Sequence, residues 1–175
     1  MRRALPTLFA VFAAVVGSAN VAATSGEPLL LRTPTVSATS VVFAYADDLW
    51  IVGRDGGAAR RLTNGVGIES HPLFSPDGKT VAFSGEYDGN IDLYVVAASG
   101  GEPRRRTWHP GDDELLSWSA DGANLLFLSS RSSGTDDAHL FSVPAAGGWP
   151  ERLPLPSVWM ASPSPDGKRL AYVPH

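Results

Sequence analysis

Ser75-Pro76-Asp77-Gly78-Lys79 reads SPDGK, and Ser164-Pro165-Asp166-Gly167-Lys168 repeats the same five letters. Between them, Ser119-Ala120-Asp121-Gly122-Ala123 is a blurred copy, so that the three aspartates are spaced by 44 and 45 residues. In such a turn proline presets φ for the first corner and aspartate tolerates the second. Glycine then takes the left-handed position that sends the chain into the next strand. The copy SADGA shows that proline and lysine are dispensable where aspartate and glycine stay. That pattern marks a backbone requirement, so the turn is a hairpin connector and not a ligand loop.

Aligning the turns brings the rest of the chain into line. A short apolar strand follows each turn: TVAF at Thr80–Phe83, LLFL at Leu125–Leu128, LAYV at Leu170–Val173, with VVFA at Val41–Ala44 one unit earlier. A second strand comes next, as DLWIV at Asp48–Val52, DLYVV at Asp92–Val96 and HLFSV at His139–Val143. Gly-Gly turns at Gly56-Gly57, Gly100-Gly101 and Gly147-Gly148 lead to arginine-bearing closing strands, ARRLT, PRRRT and PERLP. The strand before each SPDG turn completes the unit: HPLFS from His71, LLSWS from Leu115, MASPS from Met160. A repeat of about 45 residues with four short strands predicts a β-propeller.

The expected fold class is therefore all-β, a partial β-propeller of about three four-stranded blades plus the start of a fourth. Its units run over residues 36–63, 71–107, 115–153 and 160–175, within an incomplete propeller spanning 36–175. Residues 24–35 form a leader expected to add a strand beside the first unit. Propellers close with four to eight blades, so the chain reads as an N-terminal fragment whose partners include further blades. Blade faces left without neighbours predict low solubility for the isolated chain.

Residues 1–23 differ from the rest. Arg2 and Arg3 precede an apolar stretch from Ala4 to Val16, and small residues end at Ala23. This is the pattern of a Sec-type signal peptide cleaved near Ala23, and it implies a periplasmic or secreted protein. The stretch is shorter than the ~20 residues of a membrane-spanning helix, and no later stretch is long enough either. The net charge of −4 offers no basic stripe for nucleic acid, and the absence of cysteine removes thiolate metal sites and cysteine nucleophiles.

No residue pattern in the chain points to a catalytic, cofactor-binding or metal site. His71, His109, His139 and His175 fall at non-equivalent repeat positions without metal-ligand spacing. Asp112-Asp113-Glu114 and Asp136-Asp137 lack the ligand spacing and central glycine of a calcium loop. No GxSxG elbow occurs, and Ser70 and His71, as strand neighbours, are expected to point to opposite faces. Arg104-Arg105-Arg106 matches Arg60-Arg61 and Arg152 in the outer strands, where charge discourages edge-to-edge pairing. Phe43, Phe83, Phe127 and Tyr172, with Trp50, Tyr94 and Phe141, are expected as core between blades. Trp108, Trp149 and Trp159 lie between repeat strands and are the better candidates for exposed ligand or partner contact.

FSPDGKTVAFSGEYDGNIDLYVVAASGGEPRRRT resembles the repeats shared by TolB-type propellers and the tricorn protease family. A signal peptide leading directly into LLRTPTVSATSVVFAYADDLWIVGRDGGAARRLT is similar to the start of tricorn homologues, and ERLPLPSVWMASPSPDGKRLAYVP later on resembles their first propeller. TolB proteins place a small α/β domain first, and no helical pattern appears here. Arg106 departs from the pattern, standing where Leu62 and Leu153 stand in the other units. The resemblance implies the six-bladed N-terminal propeller of a large serine peptidase whose catalytic residues lie far downstream. For this chain it implies a non-catalytic scaffold, peptide or protein partners, no cofactor, and a homo-oligomeric parent family. The alternatives are a TolB-like periplasmic interaction propeller, or the propeller of a prolyl-oligopeptidase-type hydrolase or amidohydrolase.

Overall fold

The computed structural model describes residues 30–132 and 137–175; the signal-peptide segment 1–23, the first part of the leader and Asp136 lie outside them. Fourteen strands form three four-stranded antiparallel sheets and one two-stranded sheet. The first sheet contains β1 (Arg32–Val36), β2 (Ser40–Tyr45), β3 (Asp48–Gly53) and β4 (Arg60–Arg61) in sequence order. The second contains β5 (Ile68–Phe74), β6 (Thr80–Glu86), β7 (Ile91–Ala97) and β8 (Arg104–Arg105). The third contains β9 (Asp113–Trp118), β10 (Asn124–Ser129), β11 (His139–Pro144) and β12 (Glu151–Arg152). Finally β13 (Val158–Pro163) pairs with β14 (Leu170–Pro174). The fold is all-β, with three propeller blades and two strands of a fourth.

The first strand of each blade begins ahead of the boundary suggested by the repeat. In the first blade that strand, β1, comes from the leader, so Arg32–Val36 is the counterpart of β5 and not a strand added beside a finished unit. The first strands of successive blades touch one another, β1 against β5, β5 against β9 and β9 against β13, and the blades fan outward from them.

Alternation along the strands explains how one blade serves two interfaces, because successive side chains point to opposite faces. Val81 and Phe83 on β6, with Tyr94 and Val96 on β7, pack on Val42, Leu49 and Ile51 of the first blade. Ala82, Leu93 and Val95 face the other way, onto Leu115, Trp118, Phe127 and Phe141 of the third. Leu126 and Leu140 then meet Val158 and Ala161 of β13. Aromatic pairs sit opposite one another across the strands: Phe83 and Tyr94 stack with centroids 5.6 Å apart, as do Phe127 and Phe141 at 5.6 Å. Two members of the series depart from the expected core. Trp50 is half-buried, since the face it shares with Phe43 is turned away from the second blade. Tyr172 is 42% exposed, because β14 has only β13 beside it.

Each SPDG turn is held by its side chains as well as by its backbone. Ser75 Oγ donates to Asp77 Oδ1 at 2.6 Å and accepts from Thr80 N at 3.0 Å, and Lys79 N donates to Asp77 Oδ1 at 3.0 Å. The same bonds recur around Ser119–Asp121 and Ser164–Asp166. The serine hydroxyl first, and the backbone N–H second, hold each aspartate below the ordinary carboxylate range. Gly78, Gly122 and Gly167 sit at φ of 69°, 71° and 68°. The turns also stack from blade to blade: a Cβ on Gly122 would lie 3.3 Å from Pro76, and one on Gly167 would lie 3.0 Å from Ala120. Gly122→Ala is expected to cost about 1–2 kcal/mol, from left-handed backbone strain, read as a lower midpoint in urea unfolding.

Candidate functional site

The hairpin tips and inter-blade connectors gather at one end of the first strands. Every first strand is interrupted by a bulge: the register slips between Arg32 and Thr35, between Ser70 and Leu73, at Leu116 and at Trp159. A bulge leaves its extra residue unpaired and re-aims it. One concavity at this end lies between the first two blades, a cleft of about 430 Å³ lined by Arg32, Thr33, Tyr45, Asp47, Ser70 and His71, among others. Thr33, Ala46, Asp47 and His71 have φ of 43°, 50°, 66° and 49° and all line this cleft; they are the non-glycine residues of left-handed φ among the described residues. Ala46-Asp47 is the two-residue tip of the β2–β3 hairpin, where positive φ at both positions matches the strand twist. Thr33 and His71 owe theirs to the bulges. Strained backbone of this kind costs of order 1–3 kcal/mol per residue and concentrates at functional sites.

The bulge also reverses one expectation. Ser70 and His71 do not diverge to opposite faces; His71 Nδ1 lies 3.2 Å from Ser70 Oγ, because the left-handed φ of His71 swings the ring back toward its neighbour. A serine nucleophile needs a base that is itself oriented by an acid. Among the described residues no carboxylate hydrogen-bonds His71, and both members of the pair are solvent-accessible. The arrangement is a polar contact on a cleft wall and falls short of a triad.

Behind the cleft, Glu69 is 2% exposed and fastens the second blade to the first. Its Oε2 accepts from Leu49 N at 3.0 Å and from the Thr63 hydroxyl, while Oε1 accepts from the Tyr87 hydroxyl. Burial pushes the carboxyl above the ordinary glutamate range, against the opposing pull of these donors, and Asp48 adds to the rise. Burial and the neighbouring Glu69 likewise push the Tyr87 phenol up.

A related set recurs one blade on. Leu93 N donates to Thr107 Oγ1 at 3.0 Å, and Thr107 donates to Asp92 at 2.9 Å. Arg105 binds Asp92 and also Asp88, the latter at 2.9 Å. Burial raises the Asp92 carboxyl despite Thr107 and Arg105. Arg61 pairs with Asp48 in the first blade and Arg131 with Asp113 in the third. Of the outer-strand arginines, Arg61 and Arg105 are thus tied to their blades as well as lining an edge.

The histidines stay apart. His109 Nδ1 accepts from Gly111 N at 3.0 Å, His139 opens β11, and His175 stacks on Trp159 at 4.4 Å, and no group of three or more His, Cys, Asp or Glu suited to a metal occurs among the described residues. Asp112 and Asp113 are occupied separately, by Ile91 N and by Arg131. Trp108, Trp149 and Trp159 are 63%, 91% and 63% exposed. Trp159 lies on β13 and not between strands; it lines a second cleft of about 420 Å³ with Glu114 and His175. Sequence reasoning missed Glu69, Tyr87 and the threonines. A signal was present: Asp48 with Thr63 and Asp92 with Thr107 occur together, and the third unit loses both at once, to His139 and Pro154.

Residues 28–175 match the model of the tricorn protease N-terminal β-propeller domain. The chain belongs to this family. Tricorn protease homolog 1 of Streptomyces coelicolor is 30% identical over 128 residues, covering 73% of this chain and 12% of that protein. Among solved structures, TolB from Acinetobacter baumannii superposes with a TM-score of 0.68 at 23% identity, over 84% of this chain and 38% of TolB. The tricorn protease itself superposes at 0.60 with 24% identity, over 66% of this chain and 12% of the protease. At those identities the superpositions speak for the fold alone. The chain thus spans about an eighth of the tricorn homologue it matches.

Proposed function

We propose that this propeller is a non-catalytic scaffold of an exported tricorn-type serine peptidase, serving peptide access or exit, or assembly. Serine chemistry would then belong to parts of the protein outside this chain, and export to the signal peptide ending near Ala23. The observation that carries the reading is that the bulged first-strand residues Thr33 and His71 line the cleft between the first two blades and the bulged Trp159 lines a second one. Side chains placed there touch whatever passes along the shared edge of the blades, while the strands behind them stay rigid. The contact between Ser70 and His71, without an orienting acid, supports assigning hydrolysis elsewhere.

The test uses the whole gene product, purified from the cell envelope, with its N terminus read for processing near Ala23. His71→Trp and Thr33→Trp fill the cleft without altering any strand pairing. Turnover of long peptides is expected to fall several-fold in these variants, with short fluorogenic substrates unaffected. Equal effects on long and short substrates would remove the access role. Hydrolysis by the 175-residue chain alone, abolished by Ser70→Ala, would make the chain itself an enzyme.

A further inference from the structure

The repeat supplies its own control for one residue that the scaffold reading leaves unused. Leu62, Arg106 and Leu153 are structurally equivalent: each donates its backbone N–H across the outer strand pair, to Leu49, Leu93 and Leu140 at 2.7, 2.7 and 2.9 Å. Leu62 is buried between the first and second blades, and Leu153 packs against the apolar cluster beyond the third. Arg106 puts a guanidinium into the corresponding space between the second and third blades. Its Nη1 donates to the Arg105 carbonyl at 3.1 Å, and its Nε is buried without a partner among the described residues. Arg61, Arg105 and Arg131 each bind an aspartate, but Arg106 is in none of the ion pairs among the described residues. A buried donor left unmade is costly, and two sister blades show that leucine fits. Rules broken locally without a structural return mark functional positions.

Arg106 lines a cleft of about 340 Å³ together with Val95, Trp118 and Ala145, which are apolar, and Asp77 and Asp121, which stand at its turn end. Each of those two aspartates is engaged by its own turn, through a serine hydroxyl and a backbone N–H. We propose that this inter-blade cleft binds a single carboxylate on a short apolar body, with Arg106 as the anion-binding residue. A guanidinium in a partly dry site matches a carboxylate through paired N–H donors. Two ionised aspartates nearby disfavour anions of higher charge, such as phosphate, and Trp118 supplies the apolar wall. The site lies at the SPDG end of the blades and stands whether or not the scaffold reading does.

The probes are 3-phenylpropionate and its neutral amide, titrated into the protein while the Arg106 Nε–H and Trp118 indole resonances are followed by NMR. The acid is expected to shift both signals saturably in the millimolar range, and the amide to bind at least about tenfold more weakly. Arg106→Leu should abolish the preference for the acid and at the same time raise the urea midpoint, since leucine is native to the equivalent position. Arg106→Lys should retain the preference with weaker binding. A blocked peptide whose one charge is a glutamate separates the sources: binding by it points to a partner's side chain, and binding by the free acid alone to a small metabolite. Equal binding of acid and amide, or an acid preference that survives in Arg106→Leu, overturns the proposal.

Discussion

Glu69→Ala is expected to destabilise the protein by about 2–4 kcal/mol, the range for removing the acceptor of a buried polar cluster. The substitution takes their shared acceptor from Leu49 N, the Thr63 hydroxyl and the Tyr87 hydroxyl; Leu49 N keeps Thr63 Oγ1 at 2.9 Å, so the two hydroxyls are the groups left unpaired. Two of these donors belong to the first blade, so the loss loosens the joint between blades and not the second blade's own sheet. Glu69→Gln isolates the charge. Its amide oxygen can accept from Leu49 and Thr63 while the amide nitrogen donates to Tyr87, so most of the stability should remain.

The pH profile then separates the two variants from the native protein. Because the folded carboxyl of Glu69 titrates above the unfolded one, the folded state binds more protons between the two values. Stability from this group is therefore greatest at low pH and falls as pH rises through the raised folded value. Asp92 contributes with the same sign. The turn aspartates contribute with the opposite sign, since their lowered values mean stability lost as pH falls. Subtracting the urea midpoints of Glu69→Gln from those of the native protein leaves the Glu69 contribution alone. The difference should grow in favour of glutamine as pH rises from about 4 to 8. A flat difference would mean that Glu69 is not the group titrating in the joint.

What the sequence made legible was whatever the repeat copied. Strand order, the connector turns and the aromatic pairs recur at fixed offsets, so each unit vouches for the others. The serine of SPDG was equally constant, yet its work was hidden, because a hydroxyl that bonds Asp77 and Thr80 looks like any polar turn residue. Features that differ between blades were harder to read. Glu69 aligns with Asp113, a shorter side chain that reaches Arg131 instead of the neighbouring blade. The bulges cannot be found by alternation, because an extra residue shifts everything after it. That is why Ser70 and His71 read as diverging when they in fact touch. Arg106 was visible as a mismatch with leucine, but only the packing showed that its guanidinium enters an inter-blade cleft.

Phe83→Ala and Tyr172→Ala test how far burial, and not repeat position, sets the energetic weight of a residue. Both occupy the same place six residues after the turn aspartate. Phe83 is fully buried, stacked on Tyr94 and enclosed by β5, β7 and the first blade. Removing its ring should cost about 3–5 kcal/mol, combining lost transfer energy with a cavity that close-packed neighbours cannot fill. Tyr172 is 42% exposed on a strand with one partner, and its removal should cost less than about 1 kcal/mol. Measured by urea unfolding under one set of conditions, the ratio of the two losses reports the blade neighbours directly. If the two substitutions cost the same, the blades would be stable as separate sheets. The packing of Val81 and Phe83 on Val42, Leu49 and Ile51 would then be incidental to the fold. The opposite result makes each blade's stability a property of the interface it shares, so a change in one blade is felt in the next.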